Sequence, residues 1–501
     1  MTTAAPQPSS RPVPTVGRHG VVYKARDTEH ITEDDRPLSE GEAKRKQMVE
    51  RHDAHNLLIE EGILSSTHFV VDEDERFLLP PDNVKKLIGG NVTLAKVPPK
   101  IEFGMIPAQP TFFHEPDPGK VVGLWSSWSL TNHYPPNGRF YGALGDHIGY
   151  NAHLYITEFD PATRTVRCFP EINKVLGRTR SEFGDGKIHG WLDFHQGPEL
   201  WFCTYWCEYP EPETEDWATG YDGGHIMSLN VETGDITDYG VPVKRCSWPH
   251  HRLDATRGIM YGVGYFHEFL AWDVAQQDVL WGGYLPEGMR WNTRVISVDE
   301  VTGRAFCSNH HPGDAESHIL RYDPAENRCV RLDVHVPKND ITGHYNPTRA
   351  NTRHRGADGL IYFQCHDGQM FALDPENETV TDKGINWPGE QRYTAGMEHS
   401  PGGRYIYYTP GAHGRAYMDG SPLIQYDTHT GVRKVLAFLC PFHLEKYGYT
   451  TGGSYGLKLD ETGEHLFIIW NGAFTDHPPT EDVFGNAAIM YVHLPEAERQ
   501  E

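Results

Sequence analysis

Between Lys187 and Gly240 the chain alternates short apolar stretches with polar turns: IHGWLDF, ELWFCTYW, HIMSLNV and DITDYG are separated by Gly, Pro and Asp. This period-two pattern predicts four antiparallel strands in a meander. A single four-stranded sheet cannot bury both of its faces, so the unit needs neighbours of its own kind.

The unit recurs. Stretches beginning HRLDATRG, RVISVDEVTG, TRHRGADG, MEHSPGGRY and YGLKLDETG follow it, and VVGLWSSW with RFYGALGDH precedes it, which gives seven units. Their common mark is an Asp or Asn that ends the third strand and opens a turn: Asp160, Asn230, Asp273, Asp323, Asp374 and Asp427. Seven units of about 40–50 residues predict an all-β, seven-bladed β-propeller with its blades packed face to face around an axial channel. The repeats place the propeller at residues 120–495.

Two segments precede it. Residues 1–20 are rich in Pro and Ser, have no apolar run of signal-peptide length, and predict a disordered tail. Residues 21–119 read as a helical and irregular extension. Within it, residues 38–64 carry a capping-box start (Ser39, Glu42) and an apolar stripe through Met48, Leu57, Leu58 and Leu64, which predicts a helix. The rest of the extension is expected to cover one end of the propeller or a blade edge, or to wall a ligand site. No run of 18 apolar residues occurs, so no membrane partner is expected.

Composition narrows the function classes. A net charge of −24 disfavours nucleic acid, because no basic stripe is available to displace counterions. An acidic protein that handles an anionic sugar would have to gather its cations and imidazoles in one place. The eight Cys are scattered without a CxxC pair, which predicts reduced thiols and a cytoplasmic location. A homo-oligomer is compatible with this composition.

The 29 His are the most informative residues. In a propeller the loops joining strand 4 to strand 1 of the next blade, and strand 2 to strand 3, emerge at the same end. About a dozen His fall at those strand ends, among them His147, His153, His189, His225, His250, His251, His318, His366 and His413. Such clustering predicts a site at that end of the channel. One use for it is a divalent transition metal (Zn, Mn or Fe) on His189, His251, His354 and His399, at about one imidazole per blade. Another is acid–base chemistry by His and Tyr on a small-molecule or oligosaccharide substrate whose carboxylate is neutralised by a cation. Arg294 and Arg353 are candidates for that cation, since Arg stays charged and binds carboxylates bidentately. Trp206 and Trp248 offer flat faces for stacking on sugar rings. Cys307, His310 and His311, in CSNHH, form a soft-ligand cluster that would hold zinc together with His318 or a residue of another blade.

Several of these residues carry a resemblance. His133 and His153 stand twenty apart in the first unit, Tyr205 closes a second strand in FCTYW, and Tyr265 closes the next one in YGVGYF. In this the chain resembles the seven-bladed polysaccharide lyases that cut beside uronic acid, the ulvan and rhamnosyl-glucuronate lyases. The resemblance implies β-elimination, with His133 and His153 on the uronate and Tyr205 as proton donor or acceptor. It departs from the family at His225, where those enzymes place an Arg; His225 would neutralise a carboxylate only when protonated. Two alternatives stay open beside the lyase: a His-ligated metal enzyme such as a non-haem iron oxygenase, and a non-catalytic sugar-binding propeller.

Overall fold

The structure is a computed structural model that describes residues 58–60, 63–65, 69–106, 126–147, 149–150, 152–179, 182–207, 211–285, 289, 294–309, 316–475, 479–480, 482–500. Seven sheets, each built on an antiparallel meander, make a β-propeller. The second to fifth blades are four-stranded meanders, and the second runs through Asp193–Phe194, Glu199–Cys203, Ile226–Asn230 and Ile236–Asp238. The first blade has a split inner strand, Ser126–Ser127 and Asn132–Tyr134, against Arg139–Gly145.

Each blade buries both faces, because one apolar cluster fills each gap between neighbours. Tyr141 and Ile156 meet Phe202 and Leu229 between blades one and two. Trp201 and Ile226 meet Met260 and Leu270 in the next gap, and corresponding clusters continue round the ring to Phe140 and Phe159 against Phe467 and Ile489, between blades seven and one. The ring closes through packing on every side.

The turn marker holds in detail. Asp160, Asn230, Asp273, Asp323, Asp374 and Asp427 are each the last residue of a third strand. Each side chain accepts backbone N–H groups from the turn it opens, as Asp374 does from Glu376 and Asn377 at 2.9 Å. Four residues after each marker the chain takes a left-handed φ, at Arg164, Gly234, Gln277, Asn327, Glu378 and Gly431.

Part of the segment placed outside the propeller belongs to it. Lys100–Met105 pairs with Ala488–His493 as the fourth strand of the seventh blade, and Val70–Glu73 adds a fifth. Val92–Leu94 runs parallel to Arg433–Phe438 on the sixth. The propeller therefore takes in strands from residues 70–105, because the last blade has only three strands of its own and an open edge seeks a partner. The expected helix over residues 38–64 is replaced, at its C-terminal end, by the paired strands Leu58–Glu60 and Ile63–Ser65. The remainder of that helix and the tail lie outside the described residues. No helix among the described residues is long and apolar enough to cross a membrane.

All eight Cys are free and buried. The channel is closed partway along by a polar plug: Trp191 lies beneath Arg353 (4.2 Å) and Arg252 (5.2 Å), and both guanidinium groups pair with Asp193.

Candidate functional site at the axial mouth

Chain direction sorts the candidates between the two ends of the channel. Inner strands start at the mouth named in the sequence reading and run toward the opposite end, so a few residues of register decide which end a side chain occupies. Lys187, Arg294 and Arg349 stand at or just before the starts of inner strands of blades two, four and five. His147, His366 and His413 follow second strands, Tyr393 precedes the inner strand of blade six, and Tyr455 lies within that of blade seven.

These side chains pack into one cluster. The Lys187 ammonium sits 4.2 Å from the ring of Trp128 and 5.6 Å from that of Tyr205. Arg349 is only 3% exposed, stacks against Tyr393 (4.8 Å) and Tyr455 (5.1 Å), and donates from Nε to the Tyr393 hydroxyl. Tyr455 reaches Trp128 at 4.9 Å and His189 at 5.4 Å. His147 packs on Trp128, and His366 and His413 on Tyr393. Blades one, two, five, six and seven contribute side chains to these contacts.

Two of the imidazoles have their tautomers set by the backbone. His189 Nδ1 lies 2.6 Å from the carbonyl oxygen of Pro249, which can only accept, so Nδ1 carries the proton and Nε2 keeps a lone pair. His250 Nδ1 accepts the N–H of Ile296 at 3.1 Å, so its proton is on Nε2. Both Nε2 atoms are buried and have no hydrogen-bond partner among the described residues, as is true of Nη2 of Arg349. Buried polar groups ordinarily find partners, and these three orphans lie close enough to act on one another electrostatically, where a ligand could supply partners.

Burial and then the charges of Arg349, Lys187 and Arg294 push His189 well below the usual imidazole range. His147 is lowered by burial and then by Lys187 and Arg294, and His250 by burial and then by His251 and Arg349. These imidazoles are neutral at pH 7, one presenting a lone pair and one an N–H, beside fixed cations. The arrangement is suited to holding an anion and moving a proton next to it.

The sequence candidates divide accordingly. Tyr205 is fully buried at the mouth, with its ring 5.9 Å from His189. Tyr265 lies further out, 6.1 Å from Tyr205, and its hydroxyl donates to Glu211 at 2.7 Å. His153 faces Asp146 at 3.3 Å, and His225 faces Asp238 at 2.8 Å, so a charge on His225 is answered within the protein. Trp206 and Trp248 are fully buried: the first packs on Trp217, Tyr221 and Tyr265, and the second covers Gly262 and donates to the carbonyl oxygen of Gly224. They are packing residues and offer no face to a sugar.

His133 and His153 are not brought together. His133 pairs with Phe140 at the start of its neighbouring strand, and His153 sits at Asp146 past that strand's end, six residues or about 20 Å away. His133 instead meets Glu461 at 2.8 Å, at the opposite end of the channel. Arg353 also leaves the mouth, for the axial plug. The four imidazoles expected to ring a metal separate as well. His189 is at the mouth; His251 is internal, its Nε2 accepting the N–H of Cys203; His354 pairs with Glu300 (3.0 Å), and His399 lies with it at the far end. His310 and His311 lie outside the described residues, and Cys307 is buried.

The far end holds a cavity of about 440 Å³, lined by Arg353, His354, Arg355, Glu398, His399 and Lys458 among others. Its charges are internally matched: Arg355 with Asp299, Lys458 with Glu398, and His354 with Glu300. At the mouth Arg349 is packed on aromatic rings, beside neutral imidazoles that also feel Lys187 and Arg294, and that arrangement makes it the candidate site. Sequence reading missed Lys187, Arg349, Tyr393 and Tyr455. The signal for the first two was their place at the start of inner strands, the same cue that picked out His189.

Fold and site thus define a seven-bladed propeller with a cationic, imidazole-lined axial mouth. No family model matches the chain, and no curated protein does. Among solved structures, U3-55K and the RRP9 WD40 repeats each align at 9% identity and a TM-score of 0.43 over 74% of this chain, and over 98% and 97% of their own. At that likeness they bear on neither ligand nor activity.

Proposed function

We propose that this protein is a lyase that eliminates across a uronic acid residue of an oligosaccharide. The supporting observation is that Lys187, Arg294 and Arg349 are gathered with the neutral imidazole of His189 and the phenol of Tyr205 at one end of the axis, in a chain of net charge −24. The cations neutralise the sugar carboxylate, which makes the adjacent C–H acidic. His189 Nε2 takes that proton, the electron pair forms the C=C bond, and the C–O bond to the leaving sugar breaks. Tyr205 or the Nε2–H of His250 supplies the proton the leaving oxygen needs.

The test is to incubate purified protein with glucuronate- and galacturonate-containing oligosaccharides and follow the ultraviolet absorbance of the unsaturated product. A rise that is lost in His189→Gln and in Arg349→Gln supports the reading. Binding of the same sugars without any rise assigns the mouth to a non-catalytic, anion-binding propeller instead.

A further inference from the structure

A second cluster lies away from the axis, on the outer strands of blade four. His318 opens the third strand, His318–Asp323, and His335 closes the fourth, Arg328–His335; the two are cross-strand partners, with their rings 4.2 Å apart. The register shifts between His318 and Leu320, an irregularity of the kind that re-aims side chains at a sheet edge. Glu316 lies two residues upstream. One donor atom from each of Glu316, His318 and His335 falls within 4.8 Å of the other two.

The hydrogen bonding of this cluster leaves a place for a cation. His318 Nδ1 lies 3.1 Å from the carbonyl oxygen of Leu332, which fixes the proton on Nδ1 and the lone pair on Nε2. That Nε2 faces a Glu316 carboxylate oxygen at 3.4 Å. Two lone-pair atoms face each other, which is repulsive unless a proton or a metal ion sits between them. His335 adds a third donor and keeps a buried Nδ1 with no hydrogen-bond partner among the described residues. A proton would satisfy only the first pair; a metal would use all three. A ring N–H donated to a backbone carbonyl is also the usual means of orienting a metal-binding imidazole.

We propose that Glu316, His318 and His335 bind a divalent transition metal of the zinc class. Two imidazoles and a carboxylate suit zinc, and three protein ligands leave the fourth tetrahedral position to water. The ion would join the last two strands of blade four and hold Glu316, at the same end of the propeller as the axial mouth. This site is independent of the proposed elimination.

The test uses untagged full-length protein stripped with a chelator and titrated with zinc chloride, with metal content measured after dialysis; cobalt(II) reports coordination geometry through its visible absorption. One equivalent of zinc is expected on the unsubstituted protein, with a tetrahedral cobalt spectrum. Glu316→Gln, His318→Ala and His335→Ala should each weaken binding by more than the roughly 10–100-fold that loss of an outer hydrogen-bond partner produces. No retained equivalent, or retention unchanged by all three substitutions, overturns the proposal. Nitrogen-15 NMR of the unsubstituted protein gives a second readout: an Nε2 of His318 that is protonated and unmoved by zinc shows a proton in the metal's place and also overturns it.

Discussion

Arg349 and Arg353 stand four residues apart and have opposite roles. Arg349 is the second residue of the inner strand Thr348–Asn351 and packs on the rings of Tyr393 and Tyr455, whereas Arg353 has passed the strand's end and is paired with Asp193. Arg349→Gln is therefore expected to lower kcat/KM for a uronate substrate by about 10–100-fold, the value of a charge-assisted hydrogen bond. The ligand-free protein should keep or gain stability in urea unfolding, since like charge is removed. Arg353→Met should do the reverse. It breaks a buried ion pair and costs about 3 kcal/mol in the same assay, with substrate affinity changed little in the molecules that remain folded.

At the scale of the element, the third-to-fourth-strand turns carry the repeat. The marker side chain caps the turn, and the residue four later accepts a left-handed backbone that disfavours a Cβ. Gln277 (φ 55°) is the cleanest case, because its side chain is exposed, whereas Asn327 donates to the carbonyl oxygen of Leu280 and Glu378 pairs with Arg321. Gln277→Gly should raise stability by about 1 kcal/mol, read as a shift in the urea midpoint at constant m-value. Asp374→Ala should lower it by a similar amount, since two N–H groups lose their acceptor. These turns were legible in the sequence because their chemistry is local. The length of each inner strand was not. Thr348–Asn351 and Met397–His399 are so short that residues expected at the mouth emerge at the far end, which displaced Arg353, His354 and His399 from the expected site.

The whole molecule is closed by chain segments far apart in sequence. Deleting residues 1–106 should leave blade seven with three strands and an open edge, so the truncated chain is expected to aggregate, as size-exclusion chromatography would record. Acid should destabilise the intact protein in a definite window. Burial holds His251, His399 and His443 at about 4, and His147, His189 and His250 are lowered as well. Below pH 6.5 the unfolded chain takes up protons that these folded imidazoles refuse, so stability is fully present above 6.5 and falls as pH drops toward 4. Each of the first three contributes on the order of 3 kcal/mol to that fall. A second loss follows at lower pH. In Glu300 and Asp427, hydrogen bonds from His354 and Arg404 outweigh the upward push of burial and hold the carboxyls at about 2, and their contribution disappears as they protonate. Urea midpoints measured from pH 8 to 3 should be flat above 6.5 and decline below it.

Local pattern alone determined the repeat, its sevenfold count, the turn chemistry, and the gathering of imidazoles at strand ends, because alternation and turn residues act over a few positions and recur in every blade. Tertiary structure decided which end of the channel each side chain reaches, which cations meet at the mouth, and which strands complete the last blades. Those outcomes depend on strand length and on contacts between residues a hundred or more positions apart: Arg349 meets Tyr455 across blades, and Lys100–Met105 meets Ala488–His493 across nearly the whole chain. A shift of one residue reverses the face a strand presents, and a shift of four moves a side chain from one end of the axis to the other.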